Sequence, residues 1–472
     1  MSNNCIIWFR KDLRLQDNPL LDAAKDFENI YPIYIMDDDI FENKYLGGAS
    51  RWWLESSLKS LNFDMQNSIS IFHGDSLKII PSLCESHNVS AVFWNRCYEP
   101  DRIKKDTKLK NDLSKNNIRA QSYNASLLWE PWSIKNKSGN PYKVFTPFYK
   151  TGCLKSSLPR KPLKKPQKIL FKKIQNNTEI FKINDYSNKN HWSNKFSDHW
   201  KVGEANAKKV LKKFINQGGK NYSIGRNYPY SENVSRLSPY LHWGEISPFE
   251  VWDSANKNLF GENKTVFLSE LGWREFSYHL LYNFSDIQNV NLKENFNEFP
   301  WLENEDFLEK WKKGLTGYPI VDAGMRELWE TGYMHNRVRM ITSSFLVKNL
   351  LMHWKNGKNW FWNCLLDADA ASNSASWQWV AGTGTDSTPF FRIFNPITQS
   401  KKFDKDALYI KKYLPELRGL PNNLVFFPAE HDEELLNKYD FTLGENYPFP
   451  IVDYAESRKR ALDVYKNFTN RN

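Results

Sequence analysis

Three stretches of this 472-residue chain gather polar and aromatic side chains at spacings that could bind a heterocycle or act on one. The first is Tyr222-Ser223-Ile224-Gly225-Arg226, followed by Val234-Ser235-Arg236-Leu237-Ser238. Ser235, Arg236 and Ser238 supply hydroxyls, backbone N–H groups and a positive charge ahead of a helical pattern, which is what a pyrophosphate needs. A Ser-x-x-Ser pair in that place is also the ordinary mark of a helix N-cap. The second stretch holds Glu270, Trp273 and Arg274, at i, i+3 and i+4 on one helix face. A carboxylate, a flat indole and a guanidinium there can stack on and hydrogen-bond a heterocycle. The same three side chains also make a salt-bridged pair beside a core Trp. The third places Asp367, Asp369, Asn373, Trp377 and Trp379 within thirteen positions. No His or Cys joins the two carboxylates, so no metal is expected. Hydrogen bonding to a neutral polar ligand fits better, with a capping Asp pair as the structural alternative.

The elements that must position these residues follow from hydrophobic patterning. Short apolar, β-branched or aromatic runs occur at 5–9, 30–36, 68–72 and 89–94, with a weaker one at 118–123. Helical patterns at 19–27, 50–63, 76–87 and 101–116 separate them. Strands that alternate with helices and show little polar alternation predict a doubly wound, Rossmann-like parallel sheet of five strands, buried on both faces. The expected domains are an α/β domain at 1–126, a Pro- and Lys-rich linker at 127–200 and an all-helical domain at 201–472. Helical patterns in the last lie at 203–217, 267–282, 320–330, 338–351 and 359–366.

Composition narrows the class. A 40% hydrophobic fraction excludes a mainly disordered chain. No apolar run is long enough for a transmembrane helix. Five scattered Cys with no CxxC pair predict neither a disulfide framework nor a thiolate cluster. With no signal-like N-terminal segment, the expectation is a cytoplasmic protein with no membrane attachment. A net charge of +11 suits phosphate backbones as well as a merely Lys-rich surface. The 19 Trp are unusual, because each buried indole N–H needs a partner.

Seven ordered motifs then carry a resemblance. They are Trp8-Phe9-Arg10-Lys11-Asp12-Leu13-Arg14, Tyr142-Lys143-Val144-Phe145-Thr146-Pro147-Phe148, Ser235-Arg236-Leu237-Ser238, Trp273-Arg274-Glu275-Phe276, Lys313-Gly314-Leu315-Thr316-Gly317-Tyr318-Pro319, Met334-His335-Asn336-Arg337-Val338-Arg339-Met340 and the 377–386 stretch. Over nearly its full length the chain resembles the DNA photolyase/cryptochrome flavoproteins, most closely the bacterial photolyases of class I/III type that act on cyclobutane pyrimidine dimers.

The resemblance implies FAD as cofactor. It assigns Tyr222, Ser235, Arg236, Leu237 and Ser238 to the FAD phosphates and ribose, with Arg274 near the phosphates. Val234 stands where many relatives have Thr, so one hydroxyl to the phosphate is missing and a backbone N–H would serve. Asp367 and Asp369 would hydrogen-bond the isoalloxazine and ribose side, and Glu270, Asn336 and Arg339 also belong to the cofactor pocket. Asn373 falls where the family has the residue facing flavin N5. An amide can accept from N5–H without adding negative charge beside a reduced anionic flavin. Plant cryptochromes tend to carry Asp there, which favours repair over signalling.

The implied reaction is light-driven. Excited reduced FAD passes one electron to the lesion, the cyclobutane ring splits and the electron returns. The lesion, flipped from UV-damaged DNA, would stack on Trp273 and Trp379, with Glu270 on the pyrimidine edge and Asn336 and Met340 completing the pocket. The related (6-4) photolyases use a His pair four apart for proton transfer. Asn336 and Met340 occupy those positions and neither is a general acid. His335 is adjacent, but about 100° around the helix from Asn336. Arg226, Arg337, Arg392, Gln399 and Lys402 match DNA-contacting positions. Trp377, Trp354 and Trp301 align with the relay that photoreduces an oxidised cofactor. The Asn-Glu pair with which some relatives hold a folate antenna is absent from Tyr98-Glu99-Pro100-Asp101-Arg102. A methenyltetrahydrofolate bound differently is favoured over a deazaflavin, and no antenna at all stays open. The expected enzyme is a monomer with no obligate protein partner. A cryptochrome-like photoreceptor and a (6-4) photolyase are the alternative readings.

Overall fold

The computed structural model describes residues 3–37, 46–167, 169–175 and 192–470. Five parallel strands form one sheet: β1 (Asn4–Phe9), β2 (Asn29–Met36), β3 (Ser70–His73), β4 (Ala91–Asn95) and β5 (Arg119–Tyr123). Their order is β3-β2-β1-β4-β5, the doubly wound arrangement expected from the alternating pattern. Trp8 of β1 lies in register with Ile33 of β2 and Trp94 of β4. The crossovers are α1 (Pro19–Ala24), α2 (Gly48–Asp64), α3 (Ser76–Ser86) and α4 (Pro100–Lys115).

Burial explains the strand patterns. β4 is buried at every position, and β1 at every position after its first, so neither alternates. β5 is an edge strand with only Ser122 buried, which is why its apolar signal is weak. On one face Ile6, Trp8, Ile33, Ile35, Val92 and Trp94 pack with Ile80 and Leu83 of α3 and with Leu109 and Leu113 of α4. These strand residues sit two apart, as one face of a strand requires.

The chain after β5 is helical. Among the described residues only isolated bridges occur there, at Leu302↔Met352 and Leu443↔Tyr447, together with Ile30↔Phe171 in the 127–200 stretch. That stretch holds the turns Phe145–Pro147, Phe148–Cys153, Trp192–Lys195 and Phe196–His199, and its positions 168 and 176–191 lie outside the described residues. The helices that carry the candidate residues are Ser238–Trp243, Gly261–Asn283, Asn336–Ser344, Trp354–Cys364 and Ala370–Ala381. Two compact units divide the chain. One comprises Met1–Lys220, Ser235–Ser285 and Leu366–Ala371. The other comprises Asn221–Val234, Asp286–Leu365 and Ser372–Asn472. No described helix is long and apolar enough to cross a membrane.

Candidate functional site

In the first unit, Asp369 is a buried carboxylate held by groups from distant segments. It accepts from the Tyr278 hydroxyl at 2.5 Å. Nδ1 of His242 lies 3.5 Å from the same oxygen. Burial alone would push this carboxyl up, but His242, Lys11 and the Tyr278 hydroxyl outweigh it and hold the carboxyl well below the usual range. Burial and the Lys11 charge push His242 the other way, toward its neutral form. Lys11 comes from the loop after β1 and is paired with Glu99 at 2.5 Å. Burial raises the Glu99 carboxyl, yet Lys11 and Arg102 overcome it and bring the group down to about 2. Glu99 is therefore committed inside the protein, in the segment where some relatives place their folate-binding pair.

Ser235 to Ser238 do not form the capping pair that spacing alone allows. Leu237 occupies the N-cap position of Ser238–Trp243, and no side chain caps that helix. The Leu237 N–H approaches the Ser235 hydroxyl at 3.4 Å. Arg236 has φ +53°, an uncommon left-handed conformation for a residue with a side chain. Its guanidinium lies 4.4 Å over the Trp200 ring.

The helix Gly261–Asn283 turns Glu270, Trp273 and Arg274 to a half-buried face, while Leu271, Gly272 and Glu275 are buried. The Trp273 indole stacks on Phe145 at 3.7 Å and 10°. Gly272 next to it lies against Tyr149, where a Cβ would meet the ring at 2.5 Å. Arg274 donates to the Ser126 carbonyl at 2.6 Å and lies 3.3 Å from Glu275. Asp367 is half-buried in the same unit.

In the second unit, Asn373 is buried and its Nδ2 donates to the Lys358 carbonyl at 3.1 Å. That fixes the amide with its oxygen as the remaining acceptor. Asn336 and Met340 sit one turn apart at the start of Asn336–Ser344, the first exposed and the second half-buried. His335 caps this helix, its Nδ1 accepting from the Arg337 N–H at 3.2 Å. Burial, with Arg337, Arg339 and Arg226, pushes His335 down to about 3. It is a neutral acceptor at physiological pH. Arg339 donates to the Met334 carbonyl at 2.7 Å. Val234 is half-buried, and Tyr222 is buried with the Arg226 guanidinium 5.5 Å over its ring. Arg337 donates to Asn227 at 2.5 Å and lies 4.5 Å over Phe403. Arg392 and Lys402 are exposed and Gln399 is half-buried.

The three aligned tryptophans differ in depth. Trp377 and Trp354 are buried at 2% and 0% exposure, whereas Trp301 reaches the half-buried layer, as does Trp379. Trp377 lies directly on Gly357, where a Cβ would meet the indole at 2.0 Å. Gly357 is one turn along from Trp354 on the same helix. Trp354 donates from Nε1 to Asn291 at 2.8 Å.

Several contributors were not legible in advance. Tyr278 could have been found, since it continues the Glu270–Arg274 face at i+4 from Arg274. His242 and Gly357 carry no local signal, and Phe145 lies in the 142–148 motif with nothing there to announce Trp273 as its partner. A cleft of about 610 Å³ in the second unit was also missed, lined among others by Trp329, Trp360, Tyr413, Lys312, Arg326 and Lys412. Trp329 and Trp360 are near parallel, 5.7 Å apart at 6°.

A five-stranded parallel sheet followed by a helical remainder is the architecture of an α/β-plus-helical protein. Residues 5–167 match the family model described as DNA photolyase, and residues 267–467 match the FAD binding domain of DNA photolyase. The chain belongs to the DNA photolyase family. A deoxyribodipyrimidine photo-lyase from Agrobacterium fabrum is 41% identical over 470 residues, spanning 98% of this chain and 97% of its own. Cryptochrome-1 of Arabidopsis thaliana is 35% identical, over 97% of this chain and 70% of its own. The crystal structure of a bacterial class III photolyase from Agrobacterium tumefaciens superposes with a TM-score of 0.94 at 40% identity, covering 100% of this chain and 98% of that one.

Proposed function

We propose that this protein splits cyclobutane pyrimidine dimers in UV-damaged DNA, using blue light and bound reduced FAD. The observation that carries the lesion assignment is the start of the Asn336–Ser344 helix. Neither Asn336 nor Met340 can act as a general acid, and His335 is held neutral with its Nδ1 committed to the cap. A lesion whose repair needs a proton donor there would not be served; a cyclobutane ring, which needs only an electron, would.

The residues fit FAD. Asn373 offers an amide oxygen, as N5–H requires, because its nitrogen is engaged by Lys358. Asp369 is ionised and buried, so it offers a strong acceptor to a ring or ribose donor. When bound and reduced, excited FAD supplies one electron to the dimer and recovers it after the ring opens. The protein's own work is positioning. Trp273, one face backed by Phe145, and Trp379 stack the flipped pyrimidines. Glu270 accepts from the pyrimidine edge. Arg226, Arg337, Arg392, Gln399 and Lys402 hold phosphates, contacts that carry no sequence information and so suit a repair enzyme. Trp301, Trp354 and Trp377 form the relay for reducing an oxidised cofactor.

The reading extends to the antenna. Methenyltetrahydrofolate is a flat heterocycle with an acidic tail, and the Trp329–Trp360 cleft has both complements. The indoles present parallel faces, and of the lining cations Lys312 and Lys313 pair with Glu309 and Arg326 with Glu416, which leaves Lys412 to meet an acidic tail. Lys312 lies 5.6 Å over Trp360.

The test sets two oligonucleotides side by side under blue light with the reduced holoprotein, one bearing a thymine dimer and one a (6-4) photoproduct. Loss of the first lesion alone is expected. Repair of the (6-4) lesion would overturn the use made of Asn336 and Met340. For the antenna, Trp329→Ala is expected to remove a near-ultraviolet band separate from that of the flavin, leaving FAD content unchanged.

A further inference from the structure

We propose that His353 is a member of the tryptophan relay, its imidazole bridging Trp354 and Trp301 and carrying the electronic coupling between them. The proposal rests on the relay reading above and adds a residue to it. Both indoles touch this one ring: Trp301 lies 5.5 Å from it at 64°, and Trp354 lies 5.6 Å from it at 31°. An electron crosses packed π systems more readily than a gap or a saturated side chain. The imidazole thus supplies continuity between the deep and the outer tryptophan.

Its place is fixed by a second role. His353 is the N-cap of Trp354–Cys364, with Nδ1 accepting from the Lys355 N–H at 3.0 Å. The cap holds the ring beside Trp354 and puts the remaining proton on Nε2. Burial pushes the imidazole down to about 4, and Lys355 and Lys358 of the same helix add to it. From the other side the facing group is the uncharged Trp301 indole. The bridge is neutral at physiological pH. A positive ring there would make a hole on either indole costlier.

The step is a single electron transfer. One electron leaves the Trp301 indole and fills the hole on Trp354, and His353 is neither oxidised nor protonated. Among the described residues nothing accepts from the buried Trp301 Nε1, and Trp354 Nε1 faces only an amide oxygen, so neither indole has a base to take its proton. An added thiol returns the electron to Trp301.

Flash photolysis of the oxidised holoprotein tests the bridge. His353→Asn keeps an acceptor for the Lys355 N–H and removes the ring. Oxidation of Trp301 is expected to slow several-fold or more, with photoreduction yield falling in step. Repair by chemically pre-reduced protein should be unchanged. His353→Phe loses the cap but keeps an aromatic ring, and is expected to restore the transfer rate. Wild-type Trp301 oxidation in a folded His353→Asn protein would overturn the bridge. Wild-type photoreduction in Trp301→Phe would overturn the relay reading itself, and the bridge with it.

Discussion

Asn373 spends its amide nitrogen on the Lys358 carbonyl, which leaves its oxygen as the acceptor proposed for the flavin N5–H. Replacing it by Asp removes the donor and sets two acceptors against each other. Asn373→Asp is expected to cost about 1–3 kcal/mol of stability from the unpaired Lys358 carbonyl, read by denaturant unfolding. It should also shift the midpoint potential of bound FAD to more negative values, because a carboxylate opposes the charge of the reduced ring. A wild-type potential would remove Asn373 from the flavin. In the proposed relay Trp377 works through residue type: indole loses an electron readily and a phenyl ring does not. Trp377→Phe is expected to abolish photoreduction while pre-reduced protein still repairs. Surviving photoreduction would contradict the relay assignment.

Among the elements, the helix Trp354–Cys364 holds one tryptophan of the proposed relay, and Gly357 on it sets how closely Trp377 can pack. A Cβ at Gly357 would stand 2.0 Å from the Trp377 ring. In an ordinary helix interior Gly→Ala gains roughly 1 kcal/mol. Here overpacking is expected to outweigh that, giving a net loss of about 1–3 kcal/mol, with photoreduction falling as Trp377 moves. Unchanged stability and photoreduction in Gly357→Ala would show that the indole does not need this contact. The strands and crossover helices were legible because a parallel sheet buried on both faces leaves short apolar runs between amphipathic stretches. The start of the Asn336–Ser344 helix was harder. Its cap is His335, a poor capping type in sequence terms, so periodicity alone put the start two residues late. The Ser235–Ser238 pair misled in the other direction: its spacing allows a cap, yet Leu237 holds that position.

For the whole molecule, candidate residues were findable where several share one helix face, as Glu270, Trp273 and Arg274 do. Groups joined only by folding were not: His242 and Lys11 come to Asp369 from distant segments, and no spacing announces them. Buried histidines also set the response to acid. His335 is pushed from 6.5 down to about 3, and His279 to about 4, both chiefly by burial. Below 6.5 the unfolded chain takes up protons that the folded chain refuses, so stability falls as pH drops toward these values. His335→Asn, which keeps an acceptor for the Arg337 N–H, is expected to flatten that fall by as much as ~1.4 kcal/mol per pH unit, measured by denaturant unfolding between neutrality and the acid limb. An unchanged slope would mean that His335 is not held neutral by the fold. The net charge of +11 fits a phosphate-binding surface, but light-dependent chemistry is the central claim. Its most direct measurement is the recovery of pyrimidine absorbance from a thymine-dimer oligonucleotide mixed with pre-reduced, FAD-loaded protein, under blue light and in the dark. Recovery under light and none in the dark is the predicted result. No recovery in either, with reduced flavin demonstrably bound, would contradict the account.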